Sequence, residues 1–121
     1  MKERDPNRLT NILEDDGWRT EQTYSKNFTQ VPTSSGVYLV IAYEPGDLCA
    51  RGEASVLYAG MSTNLAKRKS GHAVISEIDA TGRYPFFYFK EYPREEIRII
   101  ERNLIQKYNP PYNIIGKRRG L

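Results

Sequence analysis

One cysteine, Cys49, is present among 121 residues, so no intrachain disulfide can form and a reducing compartment suits the chain. With no His near it in sequence, that thiol is also a poor candidate for a nucleophile. No apolar run approaches the length of a membrane span, which excludes a membrane partner. The opening Met1-Lys2-Glu3-Arg4-Asp5 is followed by no apolar core of a signal peptide, so the expected location is the cytoplasm. Internal repeats and low-complexity segments are absent as well. The length allows one modest core and leaves no room for a second domain.

What the chain does contain is 39% hydrophobic and 27% charged residues, the balance of a soluble globular domain rather than a disordered one. Lys and Arg number 18 against 15 Asp and Glu, for a net charge of +3 and a pI near 9.0. This mild excess permits a polyanionic partner without requiring one. The positive charge is clustered at Lys67-Arg68-Lys69 and Lys117-Arg118-Arg119; such clusters are either solvated faces or contacts for an anion.

In chain order, Asp5-Pro6 is a helix start, Leu9, Ile12 and Leu13 share a face, and Gly17 ends the helix. Residues 18–35 lose the pattern and read as an arm lying over the domain, anchored by Trp18, Tyr24, Phe28 and Val31, before the turn chemistry of Pro32-Thr33-Ser34-Ser35-Gly36. Residues 37–43 and 55–60 are strands, antiparallel because they are neighbours in sequence, with a projecting connection between them. A helix capped by Ser62 or Thr63 is expected over 64–79, with Gly71 inside it. The aromatic run 84–92 is a third strand bounded by Pro85 and Pro93. From Arg94 the stripe Ile97, Ile100, Leu104, Ile105 and Tyr108 predicts a helix with Glu95 and Glu96 in its first turn, stopped by Asn109-Pro110-Pro111. Tyr112 to Ile115 reads as extended and the basic tail as mobile.

Several side chains in this pattern carry chemistry. Glu101 falls within the apolar stripe of the last helix, where a carboxylate is costly unless a buried cation pairs with it, it reaches the stripe's edge, or it binds a metal. Arg68 and His72 are four residues apart, with Asn64 one turn earlier, so one helix face would present all three. A guanidinium grips a phosphate with two parallel hydrogen bonds, and an imidazole exchanges protons with a reacting oxygen. The pair is equally readable as a surface arginine and a histidine satisfying a carbonyl. Tyr38 and Tyr58, central in adjacent strands, are either sheet aromatics or, with enough positive charge beside them, bases of lowered pKa.

The ordered set Gly36-Val37-Tyr38, Tyr58-Ala59-Gly60, Ser62, Asn64-Leu65, Arg68, His72, Glu101 and Asn113 resembles the GIY-YIG nuclease family, over roughly residues 36–113. That resemblance implies an α/β sandwich, a small central three-stranded, mainly antiparallel sheet flanked by helices. It divides the chain into an N-terminal helix and arm (1–35), a nuclease-like core (36–115) and a basic tail (116–121), a stand-alone catalytic domain. It implies a metal-dependent endonuclease acting on DNA, with RNA not excluded. One divalent cation, Mg2+ or Mn2+, would sit on Glu101 and polarise the scissile phosphate. Tyr38 would take the proton from water, with Tyr58 and His72 hydrogen-bonded around it and Arg68 on the phosphate. Gly60 would allow close approach of backbone and phosphate, Asn64 and Lys67 would add substrate contacts, and Asn113 would support the site through hydrogen bonds.

The chain departs from the family pattern at Val37, at Ala59 and in a longer link between the tyrosines, where 44–55 looks like an insertion. A single domain of this kind would find its target through the arm, the insertion, the tail, a homodimer or a partner protein that confers specificity. The rival reading is a catalytically silent nucleic-acid-binding module of the same fold, whose sign would be a missing Glu, Arg or Tyr.

Overall fold

Strand β2 (Gly36–Tyr43) is buried along its whole length. Its period-2 alternation sends Tyr38, Val40 and Ala42 into one apolar cluster and Val37, Leu39 and Ile41 into another. A strand covered on both faces needs apolar residues at every position, which accounts for the uninterrupted Val-Tyr-Leu-Val-Ile-Ala-Tyr run. A computed structural model describes residues 8–22, 30–43, 54–70 and 72–113. The Asp5-Pro6 start, the anchors Tyr24 and Phe28, most of the 44–55 connection, Gly71 and the tail lie outside those residues.

Among the described residues the order is α1 (Leu9–Asp15), β1 (Arg19–Gln22), β2, β3 (Ser55–Ser62), α2 (Leu65–Ser70), α3 (Ala73–Ala80), β4 (Tyr84–Glu91) and α4 (Ile97–Tyr108). The strands form one antiparallel sheet in the order β1-β4-β2-β3. The α/β sandwich and its three expected strands are present, and β1 adds a fourth at the β4 edge. Leu65 of α2 and Ile75 and Ile78 of α3 cover the face that carries Tyr38. Leu13 of α1 and Ile97, Ile100, Leu104, Ile105 and Tyr108 of α4 cover the other. No helix of the described residues is long and apolar enough to cross a membrane.

Besides β1, which lies in the segment read as an arm, the helices and the end of the chain's described part differ from the sequence expectation. The helix over 64–79 is two helices, because His72 is extended (φ −84°, ψ 114°) and caps α3 by accepting from the Val74 N–H. The cap of α2 is neither Ser62 nor Thr63 but Asn64, whose Oδ1 accepts from Lys67 N–H at 3.1 Å, while Ser62 Oγ accepts from the Asn64 N–H at 3.0 Å. Helix α4 starts at Ile97 after a turn closed by Glu96 N–H to the Pro93 carbonyl at 2.9 Å, so Glu95 and Glu96 precede its first turn. Its end is as expected: Asn109 takes the left-handed conformation (φ 45°), which Asn tolerates. Instead of an extended piece, Pro111 to Asn113 then form a helical turn.

Gly36 opens β2 at a point where nothing larger fits. A Cβ there would strike the Lys90 carbonyl of β4 and come within 2.8 Å of Leu65 Cδ1. Gly36→Ala is therefore expected to cost about 1–3 kcal/mol of stability through overpacking against backbone, read as a lower urea midpoint at unchanged m-value. An unchanged midpoint would show that both the β4 backbone and Leu65 of α2 yield freely at this point.

Candidate functional site

One row of the sheet runs Arg19, Phe89, Tyr38, Gly60 across the four strands. Tyr38, only 1% exposed, lies across Gly60: a Cβ on Gly60 would meet the ring's Cζ and hydroxyl. The glycine of the Tyr-Ala-Gly motif thus makes room for the tyrosine of the other motif. On its other side the ring stacks on Phe87 at 5.0 Å between centroids, while Tyr58 stands 6.1 Å away. The hydroxyl is fixed by packing before any hydrogen bond is considered.

Two donors converge on it. His72 Nε2 lies 2.8 Å from the Tyr38 oxygen, and Arg68 Nε–H donates to the same oxygen at 3.1 Å. The tautomer follows from the other ring nitrogen: Nδ1 accepts from the Val74 N–H at 3.2 Å, so in the neutral ring the proton is on Nε2 and is donated to Tyr38. With two hydrogen bonds accepted, the phenol's own proton points away from both. Arg68 and His72 meet here through Tyr38 and not, as their spacing suggests, along one helix face. The break before α3 brings the histidine in from a different direction.

Burial lowers the His72 pKa to about 4, with the Arg68 charge adding to the effect, so the ring is neutral at pH 7. Burial, reinforced by Tyr58, pushes the Tyr38 hydroxyl well above its ordinary value, and the charge and hydrogen bond of Arg68 oppose this without overcoming it. For Arg68 partial burial works against the charge, and the phenols of Tyr38 and Tyr58, both hydrogen-bonded to it, more than offset that. Arg68 as a whole residue is exposed, so a phosphate can reach it.

Glu101 approaches from the opposite layer. It is half-buried on α4 and accepts a hydrogen bond from the Met61 backbone of edge strand β3. Burial raises its pKa, opposed by the Arg98 charge and by that hydrogen bond. Asn113 reaches the same edge: its Oδ1 accepts from Ala59 N–H and its Nδ2 donates to the Ala59 carbonyl, both at 2.8 Å. A side-chain amide here copies the pairing of a neighbouring strand. Tyr38, Arg68, His72 and Tyr58 on one face, and Glu101 and Asn113 at the rim, thus gather around β3.

No group of three or more His, Cys, Asp or Glu that could hold a metal occurs among the described residues. A lone, half-buried carboxylate of raised pKa fits a hard cation that keeps most of its water and takes its remaining oxygens from phosphate. Asn64 lies at the start of α2 with its carbonyl oxygen engaged as the cap, and Lys67 is exposed on the same helix. Sequence reasoning missed Phe87 under the ring, the Val74 N–H that sets the tautomer, and the Met61 N–H on Glu101. Strand register would have suggested only the first, since Phe87 is a near neighbour of Tyr38 on the same face.

The His72 pKa makes a stability prediction. Its folded value is depressed from 6.5 to about 4, so the unfolded chain binds a proton first as pH falls. Stability is fully present above pH 6.5 and is lost progressively toward pH 4, by up to about 3 kcal/mol. Urea unfolding should show this excess loss for the wild type relative to His72→Gln, which keeps an N–H donor and does not titrate. Parallel losses in the two proteins would mean that His72 titrates as if exposed.

The chain is 33% identical over 95 residues to UvrABC system protein C of Chlamydia abortus, covering 72% of this chain and 14% of that protein. It is 33% identical over 102 residues to UvrABC system protein C of Chlamydia caviae, covering 76% of this chain and 15% of that protein. No family model matches, and no solved structure matches. The chain spans about one seventh of the length of the relatives it matches.

Proposed function

We propose that this chain is a metal-dependent endonuclease of GIY-YIG type that hydrolyses phosphodiester bonds in DNA. The observation that carries the reading is the Tyr38 oxygen, buried by packing yet accepting from both His72 Nε2 at 2.8 Å and Arg68 Nε at 3.1 Å. A phenol that only filled the sheet would need one partner at most; two N–H donors, one of them cationic, stabilise an oxyanion. The likeness to UvrABC system protein C supports a nuclease-type role in DNA processing.

In this mechanism Arg68 binds a non-bridging phosphate oxygen with the guanidinium N–H groups that Tyr38 does not use. Tyr38 gives its own proton to solvent water on the side away from His72 and Arg68, and the phenolate then accepts the proton of the attacking water, which returns Tyr38 to the phenol at the end of the step. His72 keeps its Nε2 proton throughout and acts as a donor to the Tyr38 oxygen, since Nδ1 is occupied by Val74. Glu101 would hold one Mg2+ or Mn2+, which when bound supplies the positive charge that Arg68 alone lacks, polarises the phosphate and stabilises the leaving oxygen. Gly60 keeps the space in which the Tyr38 ring lies, and Asn113 holds the β3 edge in place beside it.

Tyr38→Phe keeps the stacked ring and removes the hydroxyl. It should lower kcat on plasmid DNA by about 10²–10⁴ with little change in KM; cleavage at the wild-type rate would make Tyr38 a packing residue. Glu101→Ala should abolish Mg2+-dependent cleavage while DNA binding in EDTA stays within a few-fold of wild type. Binding should also weaken linearly in log–log terms as salt rises, since phosphate contacts release counterions. Binding without any cleavage under every cation would favour the catalytically silent module.

A further inference from the structure

Helix α2 carries the arginine of the site and has only six residues, too few to be stable alone. What holds it comes largely from the N-terminal part of the chain. Its first two backbone N–H groups are accepted from outside the helix, Leu65 N–H by the Ser34 carbonyl at 3.1 Å and Ala66 N–H by the Pro32 carbonyl at 2.9 Å. Val31, just before them, sits in the core beneath. The fourth tie is ionic: Lys69 Nζ lies 3.4 Å from Glu21 Oε2, with side-chain exposures of only 5% and 13%. Glu21 Oε1 in turn accepts from the Gln30 N–H at 3.3 Å, joining β1 to the segment whose carbonyls hold the first N–H groups of α2.

The register explains why this pair matters. Glu21 stands opposite Phe87, Phe87 opposite Val40 and Val40 opposite Tyr58, one row across the whole sheet. Consecutive residues of α2 reach the two ends of that row. Arg68 bonds Tyr58 and Tyr38 toward the β3 edge, and Lys69 bonds Glu21 at the β1 edge.

We infer that Glu21 and Lys69 are positioning residues for Arg68, and that β1 with residues 30–35 forms a strap fixing the phosphate-gripping helix over the sheet. The role assigned to Arg68 rests on the proposed function; the strap itself does not. A buried pair broken from one side leaves an unpaired charge in the interior, which the helix escapes by loosening. Replacing both partners by uncharged groups of similar size removes that drive.

Amide hydrogen exchange on the full chain, together with DNA binding in EDTA, separates these claims. In Glu21→Gln the amides of Leu65 to Ser70 should exchange at least about tenfold faster while those of β2 and β4 keep their protection, and affinity for a short duplex should fall with the α2 protection. The double variant Glu21→Gln with Lys69→Met should recover both, and Lys69→Arg, which keeps the charge, should retain both. Unchanged α2 exchange in Glu21→Gln, or a double variant as loose as the single one, overturns the strap. If wild type neither binds nor cuts DNA while α2 still loosens and recovers as described, the strap stands and the nuclease reading falls.

Discussion

The hydrogen bond from His72 Nε2 to the Tyr38 oxygen is the constraint around which the molecule is arranged. It requires a histidine that is neutral, in one tautomer, and delivered from outside the sheet to a phenol inside it. Each requirement has a structural cause: burial keeps the ring uncharged, the Val74 N–H at the start of α3 occupies Nδ1, and Gly60 leaves the space in which the Tyr38 ring lies. The break between α2 and α3 follows from it, because a continuous helix would carry His72 in helical backbone, unable to cap Val74.

The sheet supplies the second constraint. Its two faces are both covered, so the candidate site gathers at the rim at β3. Tyr38 comes from one layer and Glu101 from the other, and Glu101 reaches β3 because it is an edge strand with an outward-facing N–H at Met61. Met61 and Ala59 turn their N–H groups to Glu101 and Asn113. An edge that would otherwise invite another strand is thereby blocked, and the same contacts fix the Glu101 carboxylate at the rim of β3.

Much of this was legible from sequence. The apolar run of β2, the aromatic run of β4 and the stripe of α4 follow from periodicities of 2 and 3.6, which reflect burial on a sheet and on one helix face. The set Tyr38, Tyr58, Arg68, His72, Glu101 and Asn113 was readable from residue types and order, and the structure brings all six to one edge. The split of α2 from α3 was not, because it depends on a side-chain cap at His72, and a capping histidine has no distinctive sequence sign. Nor was β1 visible: Arg-Thr-Glu-Gln is polar, and only its pairing with the aromatic β4 makes it a strand. The burial of Lys69 is of the same kind, since within Lys67-Arg68-Lys69 nothing local distinguishes the residue that faces Glu21 from the one that meets Tyr38 and the one that is exposed.

The most direct measurement of the central claim is the ¹⁵N shift pair of His72, which the chain's one histidine makes unambiguous to assign. The geometry predicts a pyrrole-type Nε2 and a pyridine-type Nδ1 at neutral pH, persisting as the pH is lowered toward about 4. An Nδ1–H tautomer, or an imidazolium forming near the ordinary histidine midpoint, would contradict it and leave Tyr38 without its second donor.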